Sequence, residues 1–165
     1  MKQFLQGFLI IVFSLALTFS TFAQQNRKPA APPALTGIAK IVDLLNKSGY
    51  KYAKLQEGIW QIQFEGQNLK TFTVNISSIG ESLFMFVDLA SRQELSLSQE
   101  LTTRLLELND QMDTVKFALS DKSLYARIEA HDRLVDLPEF KYMIGQLSSA
   151  VDEAYPHIKP FLAEK

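Results

Sequence analysis

"RLLELNDQMDTVKFALSDKSLYARIEA", residues 104–130, decides the fold, because the hydrophobic period changes inside it. Leu105 and Leu108 continue a stripe that starts at Leu97 and Leu101. Their spacing of three and four residues marks one face of a helix, and Leu106 widens it. From Val115 the period is two. Val115, Phe117 and Leu119 alternate, "SDKS" turns the chain, and Leu124, Ala126, Ile128 and Ala130 alternate back. Between the two patterns lies Asn109-Asp110-Gln111, a polar corner. A helix that runs directly into a hairpin belongs to an α+β domain rather than to a parallel α/β one.

The same periods extend upstream. Thr36 is placed to cap a first helix, with Ile38, Ile41, Val42 and Leu45 on one face and Gly49 as a left-handed stop. Four alternating segments follow. Tyr50 and Tyr52 open the first, and Glu57-Gly58 turns into the second, where Trp60, Ile62 and Phe64 share a face. "EGQN" turns into the third, with Phe72, Val74 and Ile76 in alternation. The fourth, "LFMFVDL" (83–89), is apolar on both faces. Phe84 and Phe86 point one way, Leu83, Met85, Val87 and Leu89 the other. Strict alternation elsewhere implies a sheet with one wet face, so this strand needs a second cover. The cover is either further helices or a partner.

Helix two starts near Ser96 or Ser98, with Ser96 and Gln99 spaced as a capping box. Downstream of the hairpin, Asp136 caps a last helix, with Pro138 in its first turn and Glu139 placed to return the capping bond. Leu137, Phe140, Ile144, Leu147, Val151 and Ala154 form its stripe, and Pro156 ends it. The predicted order is α-β-β-β-β-α-β-β-α: an α+β domain with an antiparallel sheet and three helices, spanning 36–165.

Two segments precede this domain. Lys2 is the only charge before an uncharged run from Phe4 to Ala23, which closes with small residues at Thr21 and Ala23. That is the pattern of a secretory signal peptide (1–23) cleaved after Ala23. If uncleaved, the same run would be the chain's one link to a membrane. Residues 24–35, "QQNRKPAAPPAL", read as a Pro-rich flexible linker. The predicted location is periplasmic or secreted, which suits a chain without cysteine.

Composition narrows the chemistry. Seventeen basic and 18 acidic residues give a net charge of −1 with no basic stripe, so nucleic acid is not expected as a partner. Two histidines and no cysteine make a zinc site hard to build. His131-Asp132 has the composition of an oriented base, yet no activated nucleophile accompanies it, and a solvated loop histidine is the simpler reading. Asp110, Asp113, Asp121 and Asp132 lack calcium-loop spacing, and no glycine-rich phosphate cradle exists. No catalytic residue, cofactor or metal is predicted.

The order of elements, and above all "LLELNDQMDTVKFALSDKSLYARIEAHDRLV" (105–135), resembles the YbjN domain family, which is similar in fold to the class I chaperones of type III secretion. The resemblance covers about 38–155. It implies a non-enzymatic protein-interaction module, chaperone-like or regulatory, with a protein partner or a homodimer. It also places Asn109 as a structural residue at the end of helix two, satisfying the last carbonyls or taking a left-handed conformation. The candidate interaction surface is Phe84, Met85, Phe86 and Val87 of the doubly apolar strand, with Leu101 and Leu105 of helix two. The alternative is a periplasmic small-molecule or lipid binder using the space between sheet and helices.

Overall fold

The computed structural model describes residues 35–163, and in them three helices and six strands follow in the predicted order. The expected signal peptide, and the linker apart from Leu35, lie outside the described residues. The elements are α1 (Gly37–Ser48), β1 (Ala53–Gln56), β2 (Ile59–Phe64), β3 (Phe72–Ile79), β4 (Ser82–Ser91), α2 (Gln99–Gln111), β5 (Lys116–Leu119), β6 (Ser123–His131) and α3 (Leu137–Ile158). All strands pair antiparallel in the spatial order β1-β2-β3-β4-β6-β5. Helix α2 carries the chain from β4 to the far edge, and the β5–β6 hairpin folds back so that β6 lies against β4.

Alternation fixes which side of each strand is dry. Trp60 and Ile62, Phe72, Val74 and Ile76, Leu83, Met85 and Val87, Phe117, and Leu124, Ala126 and Ile128 are buried on one side of the sheet. Ile41, Leu44 and Leu45 of α1, Leu101, Leu105 and Leu108 of α2, and eight side chains of α3 from Phe140 to Ile158 close over them in one hydrophobic cluster. Burying each large apolar side chain stabilises the fold by about 1.5–3 kcal/mol. Among the described residues, all three helices lie on this side.

Several local expectations give way to longer-range bonds. Thr36 precedes α1 but its side chain makes no capping bond. The helix start is held instead by Asp132, whose Oδ2 accepts the Gly37 N–H at 2.7 Å from 95 residues away. Ile38 is exposed, and Leu44 takes its place on the core face. Gly49 does stop α1, at φ 83°. Ser98, not Ser96, caps α2, its hydroxyl accepting the Leu101 N–H at 3.1 Å, so the Ser96–Gln99 box does not form. A capping box occurs instead at Ser91 and Glu94, on the short 3-10 turn after β4. Leu97 and Leu106 face solvent. Asp136 caps α3 as expected, accepting the Glu139 N–H at 2.9 Å. Pro156 does not end that helix, which runs on to Ile158. Finally, a bulge between Asp88 and Ala90 breaks the alternation of β4, so Ala90 rather than Leu89 continues the buried row opposite Leu124.

Candidate functional site

The sheet has a second face, and its residues follow from the strand register. Phe84 sits opposite Ser77 on one side and Glu129 on the other. One row along, Phe86 sits between Asn75 and Arg127, and the row continues to Gln61 of β2 and Lys116 of β5. Beyond the phenylalanines, Asp88 faces Tyr125. The rings of Phe84 and Phe86, two residues apart on β4, lie 5.4 Å centroid to centroid. The Arg127 guanidinium stands 5.9 Å over the Phe84 ring, a cation–π contact. Beside them Asn75 and Ser77 are buried, and Gln61 donates to the Asn75 side-chain oxygen at 3.1 Å. An apolar pair of rings at the middle of a sheet face, rimmed by Arg127, Glu129, Lys116 and Asp88, has the layout of a binding patch: aromatic centre, mixed-charge margin.

The six candidate surface residues separate on this geometry. Phe84 and Phe86 are on the face without helices and remain half-buried. Met85 and Val87 are 0 % exposed beneath the helices, and Leu101 and Leu105 are 0 % and 6 % exposed in the same core. The last four are corrected to core residues, because α2 turns its leucine stripe onto the sheet and spends it there. Tyr125 and Arg127 join the patch. Their alternation with Leu124, Ala126 and Ile128 was visible in the sequence, but their place beside Phe84 and Phe86 depends on the β4–β6 register.

Asn109 lies inside the last turn of α2 and does not cap it. Its Oδ1 accepts the Phe117 N–H at 2.6 Å, and its Nδ2 donates to the Phe117 carbonyl at 3.0 Å. One side-chain amide thus supplies both bonds that a neighbouring strand would offer to the outer edge of β5. The helix-end carbonyls are met by Lys116, whose Nζ donates to the Asn109 and Met112 carbonyl oxygens at 2.9 and 2.7 Å. The polar corner is therefore a joint between helix and sheet edge.

Two other polar clusters hold elements together. His131, expected as a solvated loop residue, is at the end of β6 with Nε2 3.0 Å from Glu81 Oε2 and Nδ1 3.4 Å from Asp132 Oδ1. Asp132 is buried, and besides binding Gly37 its carbonyl accepts from Lys40 Nζ. The cluster ties α1 to the ends of β4 and β6, and among the described residues no side-chain hydroxyl is bonded to its histidine. At the opposite end of the molecule, Asp152 of α3 accepts the N–H groups of Gln67, Asn68 and Leu69 at 2.8–3.0 Å. The Leu69 bond foremost holds this carboxyl below the usual carboxylate range, with desolvation pulling the other way. A Cβ at Gly66 would run into that carboxylate, which explains the glycine. Among the described residues, no group of three or more histidine or acidic side chains is placed to hold a metal ion.

Comparison with known proteins bears on the fold. No protein-family model matches the sequence, and no curated protein sequence does. Solved structures do match. YbjN from E. coli aligns at TM-score 0.55 and 16 % identity over 76 % of this chain and 94 % of that one. A chain of the ExsC–ExsE complex aligns at 0.53 and 13 % identity over 72 % and 90 %. A chain of the heterodimeric ExoU–SpcU complex from the type III secretion system of Pseudomonas aeruginosa aligns at 0.46 and 18 % identity over 73 % and 95 %. At these identities the first two likenesses establish architecture, and the chain has the α+β, YbjN-like and secretion-chaperone-like fold that its order of elements implied.

Proposed function

We propose that this chain is an exported, non-enzymatic protein-interaction module that docks a protein partner, a second copy of itself being the simplest, on the sheet face centred on Phe84 and Phe86. The observation that carries the reading is the pair of half-buried rings on the face of the sheet that none of the described helices covers. Open sheet faces are ordinarily polar, and apolar surface left in water forfeits about 25 cal/mol per Å² that a partner would recover. The rim carries both signs of charge, which suits a protein surface and offers no track for nucleic acid. The fold neighbour ExsC–ExsE is itself a complex of two proteins, which is consistent with this use of the architecture. Export rests on the residues before the domain: the uncharged run ending at Ala23 supports a periplasmic or secreted location.

His131 is engaged by Glu81 and by Asp132, which in turn holds the start of α1, and this supports a structural use of the His131-Asp132 pair. Self-association is tested by light scattering across a concentration series. The wild type should shift toward twice the monomer mass while Phe86→Asp, facing Arg127, stays monomeric and folded. A wild type that remains monomeric throughout would remove the self-partner and leave only a different protein for this face.

A further inference from the structure

We propose that the partner on the Phe84–Phe86 face is a second copy of this chain, related by a two-fold axis that runs across the strands midway between Phe84 and Phe86 and sets Arg127 of each copy against Glu129 of the other. This pairing presupposes that the face docks a protein, as proposed for it, and specifies which protein and in what register. Ser77, Phe84 and Glu129 form one cross-strand row, and Asn75, Phe86 and Arg127 form the next. On one face of a sheet such rows lie about 7 Å apart. Each row carries a ring at its centre and a charge beside it on β6, negative in the first and positive in the second.

Two sheets that meet face to face across a two-fold can be related by an axis along the strands or across them. An axis along β4 stacks Phe86 on Phe86 and sets Arg127 over the buried Asn75, which leaves both charges unmatched. An axis across the strands exchanges the two rows. Phe84 then meets Phe86, Ser77 meets Asn75, and Arg127 meets Glu129. A self-complementary interface repeats every contact, so the charge match is made twice. The register is fixed as well. Moving the axis onto the Phe86 row would oppose Arg127 to Arg127, and moving it onto the Phe84 row would oppose Glu129 to Glu129. Packed sheets diverge by about 30°, which shifts groups one strand from the centre by only about 2–3 Å. Two long side chains span that shift.

This pair of charges is also the one left to present. Within the chain Arg127 Nη1 and Glu129 Oε2 are 3.7 Å apart, with 42 % and 48 % of the side chains exposed. Their neighbours are engaged: Lys116 Nζ donates to the Asn109 and Met112 carbonyls, and Asp88 accepts the Ser123 hydroxyl at 3.0 Å. A face that carries its own electrostatic complement across its apolar centre selects a second copy of itself.

The test is charge exchange in the full chain, read by native mass spectrometry with one variant labelled with heavy nitrogen. Arg127→Glu alone and Glu129→Arg alone should each weaken self-association by about tenfold or more, because the symmetry applies each change twice. Mixed together, the two variants should form a mixed dimer about as readily as the wild type pairs with itself, since one copy then offers two acidic side chains and the other two basic ones. Should either variant lose its far-ultraviolet spectrum, the double variant Arg127→Glu/Glu129→Arg decides, because it keeps a charge pair within the chain. It should dimerise with itself and exclude the wild type, and free mixing with the wild type would overturn the axis. A dimer that Phe86→Asp dissolves, but whose single charge variants show no preference for each other, would overturn this arrangement and leave the docking face standing. A wild type that is monomeric at every concentration would overturn the second copy as partner, and the face would then serve a different protein only.

Discussion

Asn109 and Phe117 are joined by two hydrogen bonds that reproduce a strand pairing across the helix–sheet boundary, the side-chain amide of one meeting the backbone N–H and C=O of the other at 2.6 and 3.0 Å. β5 is an edge strand, and an edge with free N–H and C=O groups is a template for another chain. Asn109 occupies that position and at the same time sets where α2 ends against the sheet.

Asn109→Ala leaves both Phe117 groups without these partners and should lower stability by about 2 kcal/mol in urea unfolding, with the slope against denaturant unchanged. Asn109→Asp keeps the acceptor but loses the donor, and should fall between wild type and alanine. An alanine variant as stable as wild type would mean that water satisfies β5 equally well.

Asp152 makes stability depend on acid pH. Its folded-state carboxyl titrates below the ordinary aspartate value because the Leu69, Asn68 and Gln67 N–H groups favour the anion. The contribution is therefore fully present above about pH 3.9, the unfolded value, and is lost as pH falls through the lower folded value. Asp152→Asn should have a lower Tm than wild type at pH 7, and the gap should narrow below about pH 3.9. Gly66→Ala should reproduce the neutral-pH loss by displacing the same carboxylate. A gap that is constant from pH 7 to pH 3 would show that the carboxylate charge contributes nothing.

Neighbouring residues of β4 should respond oppositely to the same change. Met85→Asp places a charge among side chains that exclude water and should cost about 4 kcal/mol or more, enough to unfold a domain of this size. Phe86→Asp gives up one ring contact and gains Arg127 as a cross-strand neighbour, and should change stability by no more than about 1 kcal/mol. Circular dichroism melts of the two variants check this directly. Equal loss in both would mean that Phe86 is as deeply committed to folding as Met85.

Much of this architecture was legible in residue order. The change of period after Leu108 announced the helix and hairpin, and two apolar faces on 83–89 announced a strand needing a second cover, either further helices or a partner. Which face was left without a helix was not legible, because it depends on where the helices pack, and α2 spends Leu101 and Leu105 on the same side as Met85. The misplaced caps have a related cause. Thr36 and Ser96 are sound local candidates, but Asp132 reaches Gly37 from 95 residues away, and no local pattern encodes such a bond. The bulge at Asp88–Ala90, which moved Leu89 off the buried row, is likewise set by pairing with β6 rather than by propensity.

Export makes a separate prediction. Mass spectrometry of the protein purified from its own cells should show Gln24 as the first residue, with residues 1–23 removed. A chain retaining Met1 in the membrane fraction would establish an anchor instead.

The central claim, that the Phe84–Phe86 face receives a protein, is met most directly by placing the photo-crosslinker p-benzoylphenylalanine at position 86 and irradiating living cells. The residue keeps a phenyl ring at position 86 and extends it by a benzoyl group, and its cross-strand neighbours Asn75 and Arg127 are unchanged. Position 142, where an exposed tyrosine lies on α3, serves as the control. The account predicts one discrete adduct from position 86, at twice the chain's own mass or at that of a single second protein, and none from position 142. A folded variant that gives no adduct at position 86 above the control would contradict it.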